Sequence, residues 1–307
     1  MNDFVLYSSL ETPHAICQSE FEKYTKNAFP FKQNYDGKNH YYATCPECEN
    51  PIQIRGLYSS DRKYGAHTGK NIDGLNEFNY ENYIYCPRAV KGTHVPKETR
   101  KEEMSQKDIA VYNTVRNNFD LAVAFAKKHL GYFISDSKAK ECLQTYFVSQ
   151  GWLYPHSTVN NVPFMLFYLQ PAMNPYGLWI KKNSELEQSI QKVKELKLEK
   201  VSGKASEIYS KLMVNGKKYL QLTMMLWNHQ FKEDEKGSLK ESINIQICKN
   251  ISQNSETNEW EILMDKKIQI PELEFIRFIN SEKAIRNEEL QNFAYELMPP
   301  LQLDNEN

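Results

Sequence analysis

The feature that most constrains this chain is a pair of cysteines two residues apart, Cys45-Pro46-Glu47-Cys48, with a second Cys-Pro step at Cys86-Pro87. A turn of that length folds both thiols to one side, so two sulfurs can meet at a single point. The segment between Cys48 and Cys86 is rich in Tyr, Asn and Gly and poor in aliphatic side chains. Such a segment buries too little apolar surface to order itself. A bound metal supplies the missing constraint: a structural Zn²⁺ contributes on the order of 10 kcal/mol to the ordering of its loops.

A tetrahedral Zn²⁺ needs four ligands. Cys45, Cys48 and Cys86 provide three. His67, midway between Cys48 and Cys86, is the preferred fourth, because Gly65 and Gly69 on either side permit the tight turns that aim a ring at a metal. His94 is the alternative fourth ligand and His40 a third choice. Three thiolates and an imidazole leave no position for water, which marks a structural site and not a catalytic one. A thioredoxin-type redox pair fits poorly, because Asn50-Pro51 would have to continue a helix from Cys48. The Cys-Pro-Glu-Cys turn resembles the knuckles of treble-clef and zinc-ribbon modules. That resemblance covers less than a third of the chain.

Other chemistry is thinly represented. There is no HExxH and no deaminase pair of HxE with PCxxC. The run Gly65 to Lys70 (GAHTGK) is no P-loop: its glycines are too close, and Asn71 stands where Ser or Thr belongs, so no nucleotide cofactor is expected. Glu195 with Lys197 and Asp265 with Lys267 are loose carboxylate-x-Lys pairs, the only hint of a metal-dependent nuclease. His156 and His229 sit among apolar residues and read as packing histidines. Cys17, Cys142 and Cys248 read as buried thiols.

The formal net charge is −1, so nucleic acid would have to be met by a local patch. One candidate patch exists: Arg55, Arg62, Lys63, Tyr64, Arg88 and Lys91, in which cations can neutralise phosphates and an aromatic ring can stack on bases. The same residues also suit a solvated face of mixed charge. No apolar run approaches the ~18 residues of a membrane span. The N-terminus lacks a basic leader, and the cysteines are too sparse for a disulfide scaffold, so a reducing cytoplasm is expected.

The pattern predicts an α+β chain in three parts. Residues 1–100 form the zinc-knuckle module, with a helix over His14–Thr25 and strands at Pro51–Leu57 and Glu77–Tyr85. Residues 101–151 form a helical hairpin, Ser105–Leu130 and Asp136–Gln150, in which Ser105 and Asp108 cap the start and Gly131 stops the first helix. Residues 152–307 form an α+β domain. It starts with a proline-punctuated irregular stretch, Trp152–Ile180, followed by a charged helix at Glu185–Lys200. An antiparallel meander comes next (Tyr219–Phe231, Ser242–Lys249, Trp260–Ile270), then helices from Pro271 and Glu288. The alternation of Ile243, Ile245 and Ile247 with Ser242, Asn244 and Gln246 predicts one buried and one wet face. The expected function is a non-enzymatic, zinc-containing protein that binds DNA or RNA. The alternative is a protein–protein adaptor that docks through the zinc module and the meander, and a nuclease ranks third.

Overall fold

The computed structural model describes residues 1–59, 62–89, 95–216, 220–235, 237–252, 259–282 and 284–301. It mixes helices with antiparallel sheets, as an α+β chain should. The chain divides into two compact units, Met1–Lys101 with Phe231–Lys240, and Glu102–Gln230 with Glu241–Asn307. No helix among the described residues is long and apolar enough to cross a membrane.

The first unit begins with a two-strand ribbon, β1 (Asp3–Phe4) and β2 (His14–Ala15), followed by α1 (Gln18–Thr25). The helix is shorter than the sequence suggests because His14 and Ala15 pair with Phe4 and Asp3 instead. Next come β3 (Lys32–Tyr35), β4 (Lys38–Thr44), β5 (Pro51–Arg55) and β6 (Tyr64–His67), an antiparallel sheet in sequential order. Ile52 and Ile54 point to one face and pack with Phe4, Phe21, Phe31 and Ala43. The predicted strand at Glu77–Tyr85 is a helix, α2 (Tyr80–Ile84). Its start is set by Asn79, whose side chain accepts from the Asn82 N–H, with Glu81 in the first turn.

The second unit starts with α3 (Gln106–Leu130), closed by a reciprocal capping box of Ser105 and Asp108 and ended by Gly131 in the left-handed conformation. Then comes α4 (Asp136–Val148). The stretch expected to be irregular is in fact densely buried and carries α5 (Val162–Tyr168), with Pro163 in the first helical turn, where a missing N–H costs nothing. It leads to β7 (Trp179–Lys181).

The single charged helix predicted over Glu185–Lys200 is two elements, α6 (Glu185–Ile190) and β8 (Leu196–Lys200). β8 pairs with β9 (Tyr209–Val214), which makes a sheet of order β7-β9-β8. The meander is present as β10 (Leu222–Glu233), β11 (Leu239–Asn250) and β12 (Trp260–Gln269), followed by α7 (Glu274–Ile279) and α8 (Glu288–Leu297). Ile243, Ile245 and Ile247 are fully buried, but so are Ser242 and Gln246, so the second face of β11 is only partly wet. On that face Asp265 accepts from Trp227 and Asn244. The α3–α4 pair lies inside this unit and shares its core with α5 and α8.

Candidate metal centre

The cysteine pair sits at the tip of the β4–β5 hairpin. Thr44 and Pro51 are the last paired residues, and Cys45 to Asn50 make the connecting turn. Two backbone hydrogen bonds close it, Cys45 N–H to Asn50 O at 2.9 Å and Glu49 N–H to Cys45 O at 3.0 Å. Glu49 takes the left-handed conformation that turns the chain back into β5. His67 ends β6, one strand over, with its backbone opposite Ile52. Cys86 follows α2 and is held in a tight turn by hydrogen bonds from its own N–H to Tyr83 O and from Ala89 N–H to its carbonyl.

These four residues converge. The sulfurs of Cys45, Cys48 and Cys86 and a ring nitrogen of His67 all lie within 4.8 Å of one another and can hold a metal ion. Cys45 and Cys86 sulfurs are 3.8 Å apart, and Cys48 Sγ is 3.3 Å from His67 Nε2. Tetrahedral metal–sulfur bonds of ~2.3 Å place sulfurs about 3.8 Å apart, whereas a disulfide would bring them to ~2.05 Å. The observed spacing of Cys45 and Cys86 fits ligands around a shared ion and excludes a disulfide between them. Among the described residues this is the one such cluster of Cys, His, Asp or Glu. His94 lies outside the described residues. His40 lies on the other face of the sheet, against Gln53.

The surrounding groups favour negative charge on the Cys48 sulfur and oppose it on that of Cys86. Burial alone would raise the Cys48 thiol, but hydrogen bonds from Cys45, Cys86 and Asn50 outweigh it and hold Cys48 well below the usual thiol range. Hydrogen bonding to the Cys45 and Cys48 sulfurs, together with burial, pushes Cys86 far above that range. Three thiols crowded in a buried site cannot all ionise unless a cation joins them.

Asn50 was not singled out in the sequence, yet it connects the parts. Its amide is fully buried, donates to Cys48 Sγ and to Asn79 O, and accepts from the Asn79 N–H. It therefore ties the cysteine turn to the cap of α2, the helix that delivers Cys86. The signal in the sequence was its place directly after the knuckle. The ring of Tyr83 stands edge-on to His67, with centroids 5.2 Å apart.

The proposed basic patch separates into parts. Arg55 and Tyr64 are paired neighbours at the far end of the β5–β6 hairpin, with Arg62 and Lys63 beside them. That end is about 13–17 Å from the cysteine turn by strand rise. Arg88 is turned inward, within 2.9 Å of Asp3 and 3.4 Å of Glu47, so it anchors the base of the centre and leaves the patch. Lys91 lies outside the described residues.

The remaining sequence candidates have structural partners. Glu195 pairs with Lys249, and Lys197 with Glu199. His229 Nε2 is 2.6 Å from Glu241, and its Nδ1 is 3.3 Å from the Tyr154 hydroxyl. Cys142 and Cys248 are buried, whereas Cys17 is half-buried and its sulfur lies 3.3 Å from the Ser19 hydroxyl. No family model matches the chain, and no curated protein or solved structure does either.

Proposed function

We propose that the ion is a structural Zn²⁺ in a Cys₃His module of the zinc-knuckle kind, and that the chain is a non-enzymatic nucleic-acid-binding protein whose contact surface this module orders. Three thiolates and one imidazole suit zinc among the divalent metals and close its coordination sphere, leaving no place for a reacting water. Such thiolates persist in a reducing compartment, which supports a cytoplasmic location. The observation that carries the nucleic-acid reading is the grouping of exposed Arg55 and Arg62 with Lys63 and Tyr64 at one hairpin end, neither arginine ion-paired among the described residues.

Metal analysis of the purified chain should find about one zinc per molecule, and Cys45→Ser or Cys86→Ser should remove it. Gel shifts with single- and double-stranded DNA and RNA across a salt series test the binding. Retardation that weakens as salt rises supports the reading, and its absence at all salt concentrations ends it.

One observation favours the adaptor reading. The second unit has a cavity of about 550 Å³ whose wall includes Phe133, Met173, Tyr176, Trp179 and Met225. Apolar concavities of this kind receive partner side chains.

A further inference from the structure

The register of the four-stranded sheet places a second set of residues together, on the face away from the metal. In β5, Ile52 and Ile54 point into the core that holds Cys45 and Cys48, so Gln53 and Arg55 point to the opposite face. Tyr42 is paired with Gln53, and Tyr64 with Arg55, which puts both tyrosines on that face too. His40 is two residues before Tyr42 and joins them.

Three rings, those of Tyr35, His40 and Tyr42, are in contact, and Tyr64 lies apart on the last strand. His40 and Tyr42 stack with centroids 6.3 Å apart and an interplanar angle of 19°, and His40 meets Tyr35 at 5.8 Å. Gln53 fixes the His40 ring through a contact of 3.1 Å to Nδ1. The set is open at its edges: Tyr35 is 48% exposed, His40 and Tyr64 are half-buried, and Arg55 is exposed. Lys38, also exposed, lies opposite Tyr35, and neither Lys38 nor Arg55 is ion-paired among the described residues.

We infer that this face binds single-stranded nucleic acid, with bases stacking on Tyr35 and Tyr64 and the phosphates drawn to Arg55 and Lys38. The inference rests on the nucleic-acid reading above and names its substrate class and mode. Rings that lie along a sheet and are held in place by an amide offer flat partners to unpaired bases at little ordering cost. Bases inside a duplex are stacked on each other and cannot reach such a platform. Unpaired cations beside the rings match the charge of the backbone. The four strands span about three inter-strand spacings of ~4.8 Å, room for roughly two or three bases.

The test is fluorescence anisotropy of labelled oligo(dT), oligo(rU) and a mixed-sequence duplex with the zinc-loaded chain. The expected result is tighter binding of a single strand than of duplex. Tyr35→Ala and Tyr64→Ala should each weaken it about tenfold. Arg55→Ala should also lower the salt slope by about one. Tyr80→Ala, which removes an exposed ring from α2 and not from this face, should change nothing. Unchanged zinc content in each variant establishes that the module is still folded. Single-strand binding undiminished by both tyrosine changes overturns the inference but not the nucleic-acid reading. Preference for duplex overturns it as well. If the wild-type chain binds none of the three oligonucleotides, both readings fall.

Discussion

The guanidinium of Arg88, its side chain 4% exposed, bridges Asp3 from the first strand and Glu47 from inside the cysteine turn. Burial works against its charge, and the attraction of Glu47 and Asp3 more than offsets that. Truncating it removes the cation that Asp3 and Glu47 share. Arg88→Ala should therefore destabilise the first unit by about 2–3 kcal/mol, toward the low end for a broken buried pair because the carboxylates are partly open to water. Arg88→Lys should recover only part of this, since an ammonium cannot engage two carboxylates as a planar fork does. Urea melts of the three proteins decide the point. A second residue-scale expectation concerns Cys142. Burial pushes its thiol up from its ordinary value of 9.0 to about 11. An acid whose folded value is raised favours the fold below its unfolded value and loses that contribution as pH rises through the folded one. The wild type should thus lose roughly 2–3 kcal/mol between pH 9 and beyond pH 11 relative to its own stability at pH 8. A Cys142→Ala variant should not show this slope. Parallel pH profiles of the two proteins would refute the assignment.

At the scale of elements, the turn after α4 is closely packed. A Cβ on Gly151 would lie 2.3 Å from two ring atoms of the fully buried Tyr146. Gly151→Ala should cost about 1–3 kcal/mol through forced repacking, read as a lowered melting temperature. What the sequence disclosed at this scale depended on whether local signals agreed with tertiary pairing. For α3, the caps at Ser105, Asp108 and Gly131 and the apolar spacing all pointed the same way, and the helix matches. The helical stripe expected over Glu185–Lys200 is Leu186, Ile190, Val193 and Leu196; Leu186, Ile190 and Leu196 are buried, whereas Val193 is half-buried. Yet the chain after Ile190 leaves the helix, because Leu196 and Leu198 pair with Val214 and Leu212 from a distant strand. No local pattern carries that pairing. At Tyr80–Ile84 the signal was present but misread: alternation of Tyr83 and Tyr85 suggested a strand, while Asn79 and Glu81 spelled a helix start. The convergence of Cys45, Cys48, His67 and Cys86 was more legible than the fold around it, because Cys and His spacing points directly to a shared site. Asn50 and the inward turn of Arg88 depend on neighbours far along the chain and left no such mark.

Across the whole molecule the two units differ in what orders them. The first has a small apolar core around Phe4, Phe21 and Ile52 and, beside it, a Cys/His group that can hold a metal, contributed by a hairpin tip, a strand end and the turn after a short helix. The second has long helices and an apolar core including Phe119, Leu143, Phe164 and Phe275. Removing the metal with a chelator should therefore unfold the first unit while leaving the α3-based helical signal largely intact. Circular dichroism with limited proteolysis would show cleavage confined to Met1–Lys101 and Phe231–Lys240. A single cooperative loss of all helix on chelation would contradict this.

The first unit is assembled from Met1–Lys101 together with Phe231–Lys240, a segment that returns from deep within the rest of the chain. This bears on heredity as well as on folding. A recombination event with one breakpoint, anywhere after Lys101 and before Phe231, would deliver the first unit without its last contributed segment. The two units are thus linked as a heritable pair: exchange of either alone demands three coordinated crossovers. On a growing polypeptide, likewise, the first unit stays incomplete until the segment ending at Lys240 has left the ribosome.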